Sequence, residues 1–169
     1  YTLTAVTNPA NYTINATYGK LTITASDALS VGAADVTKKY DGSAYGVSAS
    51  ANFPASTAIR YSLTNSANPA DYTLITSPTA THVGESTTVY FVATNPNYVP
   101  AFGSADVTIT PRDLVVNTAS ATRVYNGLAL TANGWSIDPA HDGFIGAQGF
   151  ATAVTTGTIT SVGTADNTF

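Results

Sequence analysis

The hexapeptide TKKYDG at Thr37–Gly42 returns as TRVYNG at Thr122–Gly127, 85 residues further on. A second pair, HVGESTTVYF at His82–Phe91 and SVGTADNTF at Ser161–Phe169, is offset by 79. Self-similarity at a fixed period means like units, each burying an apolar face in itself or against a neighbour. The tail of the first unit, NPNYVPAFGSADVTITP at Asn95–Pro111, has its counterpart at the front of the chain, NPANYTINATYGKLTITA at Asn8–Ala25. Joining Phe169 to Tyr1 restores the order of landmarks, and Tyr98 then precedes its counterpart Tyr12 by 83 residues. The 169 residues read as one period of a two-unit repeat with an arbitrary starting point.

Boundaries follow from this reading. Residues 1–29 are terminal strands completing a preceding module, 30–111 form a whole module A, and 112–169 form a module B that lacks its last strands. The repeat junction is Phe169 followed by Tyr1. Short linkers at Thr110–Asp113 and about Ala25–Ala34 favour a stiff rod over a flexible string. Pro111 ends module A because it cannot donate a ladder hydrogen bond. Three arrangements satisfy the pattern. A covalent tandem array comes first, strand addition between subunits second, and a permuted monomer folding back on itself third. The lack of an initiating Met and of a leader fits an internal slice of something longer.

Each unit is all-β. Apolar residues alternate with Thr in Leu21–Thr24, Thr88–Ala93 and Val107–Thr110, and again in LVVNT from Leu114, LALTA from Leu128 and GTITS from Gly157. Asn-Pro, Asp-Gly, Asn-Gly and Ser-Pro punctuate these runs at sandwich-like intervals. Asp41-Gly42 and Asn126-Gly127 are turn dipeptides, since Gly accepts positive φ. Tyr40 and Tyr125, just before them, are expected to pack in or along the core. Asn8-Pro9 and Asn95-Pro96 read as loop starts ahead of the penultimate strand. Gly19 and Gly103 read as a tight turn or bulge before the last one.

Composition removes several function classes. Only 9% of residues are charged, Lys and Arg total 6 against 10 Asp and Glu, and 29 Thr and 27 Ala make up about a third of the chain. No basic patch is available to displace counterions from nucleic acid. A helical bundle lacks the Glu, Lys and Gln its solvent face needs. No apolar run reaches the roughly 18 residues needed to span a bilayer, so no membrane insertion is expected. Without Cys there is no disulfide framework and no thiolate chemistry. With so few charges, sheet edges should be guarded by Pro54, Pro69, Pro78 and Pro100, by bulges or by real pairing.

Tyr-Asp/Asn-Gly early in a unit, Val-Gly in its middle and N-Y-x-I…Y-G-x-L-T-I-T at its end carry a resemblance. Together they resemble the MBG/YDG-type immunoglobulin-like repeats of large bacterial surface and adhesin proteins. Module B is the closer match, through Tyr125, Asn126, Gly127, Val162, Gly163, Asn11, Tyr12, Gly19 and Leu21–Thr24. Module A departs from the pattern at Tyr98–Gly103. The resemblance implies tandem Ig-like β-sandwiches at the cell surface, extracellular and without a catalytic role.

Site chemistry is sparse. His82 and His141 belong to no metal spacing, so no catalytic, metal or cofactor residue is assigned. The acidic run Asp138–Gly143 is the best calcium candidate, weighed against an ordinary Asp-initiated turn. Lys20, Lys38 and Lys39 are the candidates for an isopeptide with Asn. The sequons at Asn11 and Asn15 are expected by chance in a chain rich in Asn and Thr. The expected function is a structural repeat of a fibre or adhesin stalk, with identical repeats head to tail as partners. The alternative is a module binding host or environmental glycans or proteins through loops around Trp135, Phe144 and Phe150, although core packing is the preferred role for Trp135.

Overall fold

The computed structural model describes residues 11–13, 15 and 17–169. Among them the chain is all-β, with one-turn 3-10 helices at Pro69–Asp71 and Val83–Glu85. The strands of the first segment are β1 (Val31–Gly32), β2 (Val36–Lys39), β3 (Tyr45–Gly46), β4 (Ser50–Ala51), β5 (Ala58–Ser62), β6 (Thr79–Ala80), β7 (Thr87–Thr94) and β8 (Ala101–Thr110). Those of the second are β9 (Val116–Thr118), β10 (Leu130–Thr131), β11 (Trp135–Ile137) and β12 (Thr158–Ile159). No helix among the described residues is long and apolar enough to cross a membrane.

One sheet dominates, with strand order β2-β8-β7-β5. β2 runs parallel to β8, and the other neighbours are antiparallel. Alternation puts Val89, Phe91 and Ala93 of β7 and Ala105, Val107 and Ile109 of β8 in the interior. Two short ladders, β1-β4 and β3-β6, complete the first segment. Ala80 from β6 and Val47 after β3 join Tyr61, Val89, Phe91, Ala105, Val107 and Ile109 in one core cluster. Gly103 lies inside β8, opposite Phe91, and is neither a turn nor a bulge ahead of the strand. A Cβ there would lie 2.4 Å from Cε2 of the Phe91 ring, so glycine is what admits that ring.

Loop chemistry matches the turn residues, with two corrections. Gly42 and Gly127 both adopt positive φ, at 81° and 75°. Asn95-Pro96 follows the penultimate strand, β7, and opens the hairpin into β8. There the buried Asn95 accepts from the Asn97 amide at 3.1 Å and donates to Ala55 O and Thr57 Oγ1. The four prolines read as edge guards all lie between strands. Charge guards the edges instead: Lys38 and Lys39 sit on β2 and Arg60 on β5. A two-bond bridge from Tyr61 to Leu74 also covers the outer side of β5.

The second segment pairs in the same pattern but with fewer strands. β9 pairs with β11 and β10 with β12, both antiparallel. β9, β10 and β11 begin 85 residues after β1, β3 and β4, and β12 begins 79 after β6. The registers Tyr45↔Ala80 and Leu130↔Ile159 differ by those same offsets. Counterparts of β2 and β5 fall at 121–124 and 143–147, and neither forms a strand. Among the described residues, every buried one lies between Leu29 and Ile109 and none in 112–169. Tyr125 is accordingly exposed, contrary to its expected core position, whereas Tyr40 packs against the core.

Residues 1–10, and with them Tyr1 and Asn8-Pro9, lie outside the described residues. Among the described residues of 11–29 no strand is formed where terminal strands are expected. Leu21–Thr24 carries the alternation but has no ladder partner, and a strand exists only where its amides and carbonyls are paired.

Candidate assembly interface

Two surfaces stand out, one on the segment leading into the first unit and one on residues 112–169. The leading segment is held at Ser26, whose amide donates to Asn97 O at 3.0 Å and whose carbonyl accepts from the Val99 amide at 2.8 Å. Tyr98 at this hairpin stacks on Phe53 with ring centroids 5.0 Å apart. Ahead of Ser26 the chain projects with Leu21 and Ile23 fully exposed, at 101% and 100%. Their counterparts in the VTIT run of β8, Val107 and Ile109, are 0% and 2% exposed. The same residue pattern is core in one place and bare in the other.

The second surface is on residues 112–169. A groove of about 360 Å³ runs between Ala121–Leu130 and Ile159–Ala165. Val124, Tyr125, Leu128 and Val162 are all exposed along it. An adjoining cleft of about 260 Å³ continues past Leu130, Thr158 and Asn167. In the first segment the matching position of β2 is occupied by β8, with Val36↔Val107 through Lys39↔Thr110 in register and the Tyr40 amide donating to Thr110 O at 2.9 Å.

The two segments meet at a bonded joint that begins where β8 ends. The Arg112 guanidinium donates to Gly143 O at 3.0 Å, to Tyr40 O at 3.2 Å and to Asp142 O. Lys39 Nζ lies 2.8 Å from Asp142 Oδ2, and Gln148 Nε2 donates to the Tyr40 hydroxyl at 2.8 Å. The Lys39 hydrogen bond, together with the Asp113 amide, holds the Asp142 carboxyl below its ordinary value. The acidic run Asp138–Gly143 thus supplies a joint, with Asp138 capping the Ala140 amide and Asp113 pairing with His141 at 2.5 Å. Among the described residues no group of three or more His, Cys, Asp or Glu is placed to hold a metal ion. Of the isopeptide candidates, Lys39 is committed to Asp142 and Lys38 lies over the Tyr45 ring.

His82 belongs to another turn. Its Nδ1 lies 3.1 Å from Glu85 Oε1, while Glu85 Oε2 accepts from the amides of Thr81 and His82. Those bonds lower the Glu85 carboxyl to about 2.

Phe169, expected as one side of a repeat junction, lies in an aromatic cluster. Its ring packs 5.7 Å from Trp135 and 5.1 Å from Phe150, and Phe150 packs 5.0 Å from Phe144. The three aromatics singled out for loop-mediated binding are therefore gathered in one place, and Trp135 and Phe150 stay exposed there. The joint was not visible in the sequence. Arg112 meets partners 30, 31 and 72 residues away, and no local spacing signals such a contact. No family model, curated protein or solved structure matches this chain.

Proposed function

We propose that the chain is a structural repeat unit of an extracellular bacterial fibre or adhesin stalk, assembled head to tail from tandem Ig-like β-sandwiches and without enzymatic activity. The carrying observation is the contrast between Leu21 and Ile23, bare at one end, and Val107 and Ile109, buried at matching positions. A bare apolar alternation on the leading segment and an open groove with Val124, Tyr125, Leu128 and Val162 exposed along it are what a unit completed by its neighbours presents. The MBG/YDG-like motifs and the low charge support a surface setting, because a hydroxyl-rich face is little affected by salt. The Arg112 joint supports a stiff connection.

Joining one, two and four copies from Phe169 to Tyr1 and measuring their maximum dimension by small-angle X-ray scattering tests this. A stalk lengthens linearly, by about 70–80 Å per copy for two sandwiches of strands rising about 3.3 Å per residue. Collapse of the joined copies into a globule contradicts it. The second reading, a module binding glycans or host protein, is favoured by the exposed cluster of Trp135 and Phe150. Glycan-array or pull-down binding by one copy, lost in Trp135→Ala, would select that reading.

A further inference from the structure

We infer that the groove on residues 112–169 is filled by Leu21–Thr24 of a second copy, inserted as a parallel strand beside Ala121–Val124. This rests on the head-to-tail reading above and specifies its joint.

The register comes from the first segment. There β2 pairs parallel with the VTIT run of β8, Val36↔Val107, Thr37↔Thr108, Lys38↔Ile109 and Lys39↔Thr110. The 85-residue offset turns Val36–Lys39 into Ala121–Val124, and LTIT stands where VTIT stood. Leu21 therefore faces Ala121, Thr22 faces Thr122, Ile23 faces Arg123 and Thr24 faces Val124. The Tyr125 amide then donates to Thr24 O, as the Tyr40 amide does to Thr110 O. Insertion takes Leu21 and Ile23 out of water and gives the 121–124 backbone its missing partner.

The donor is another copy because the chain cannot reach its own groove. Ser26 is fixed at the β7–β8 hairpin, whereas the second segment departs beyond Thr110 at the far end of β8. The ten residues of β8 span about 30 Å, and the two steps from Ser26 to Thr24 span about 7 Å. Donor and acceptor at opposite ends of one body make a heterologous contact, which propagates as an open fibre.

The cysteine-free chain allows a direct test by disulfide trapping. Paired Cα atoms in a sheet lie within disulfide range. Chains carrying Thr22→Cys are mixed with chains carrying Thr122→Cys and oxidised, with Thr22→Cys plus Thr64→Cys as the remote control. The expected result is at least ten times more mixed disulfide in the first mixture. Adding Leu21→Asp and Ile23→Asp to the Thr22→Cys chain returns the yield to control. Its own thermal unfolding stays unchanged, because both side chains are bare in the single copy. Equal yields in the two mixtures overturn the inference. So does a disulfide within one chain when Thr22→Cys and Thr122→Cys are combined at high dilution. A stalk that lengthens with copy number while trapping stays at control removes the register and leaves the proposed function. Trapping without lengthening keeps the register and removes the stalk.

Discussion

Glu85 is the sole glutamate, and it closes the turn ahead of β7 with three contacts. Two backbone amides and His82 favour its charged form, which lowers its value to about 2. A carboxyl depressed on folding stabilises the folded turn above its unfolded value near 4.5. That contribution drains away as pH falls through that value and on to about 2. Glutamate-selective carbon labelling gives one carboxyl resonance, whose titration should have its midpoint near 2. A midpoint at the ordinary glutamate value would mean the turn is open in solution. Among individual residues the sequence was a good guide to turns, since Gly42 and Gly127 need positive φ whatever surrounds them. It was a poorer guide at Gly103, whose role depends on Phe91 across the sheet, and at Pro54, Pro69, Pro78 and Pro100, because pairing alone decides which strand is an edge.

Strand pattern and strand formation separate clearly among the elements of this chain. VTIT and LTIT carry the same alternation, yet only the first lies in a ladder. Intrinsic β-preference is set largely by cross-strand neighbours, so a run without neighbours stays unformed. This explains why Thr88–Ala93 and Val107–Thr110 were legible in full, whereas the runs from Leu114, Leu128 and Gly157 shrank to two or three paired residues. The contrast has a quantitative consequence. Ile109→Ala should destabilise the first segment by about 2–5 kcal/mol, as buried Ile truncations do. Ile23→Ala in the single copy should change stability by under about 0.5 kcal/mol. Urea unfolding of both variants checks the pair, and equal losses would mean that Leu21–Thr24 is already packed.

Across the whole molecule, a well-packed first segment is bonded to a second that has two ladders and no buried residue. Arg112 organises their joint through three carbonyls. Arg112→Ala should weaken it by about 1.5–3 kcal/mol, the usual worth of hydrogen bonds to a charged group. Small-angle scattering of the single copy should then show a broader distribution of distances, while unfolding of the first segment is unaffected. The spacing of the short ladders was legible because offsets of 85 and 79 are a property of sequence alone, and the starts of β9 to β12 follow them. The joint was not, because it is made by side chains far apart in the chain. In the proposed assembly, residues near the front of one copy complete residues 112–169 of another. Amide hydrogen exchange at Tyr125 tests it most directly, comparing a single copy with the first member of two copies joined Phe169 to Tyr1. Exchange is expected to be fast in the single copy and at least a hundred-fold slower in the joined pair. The same rate in both would contradict it.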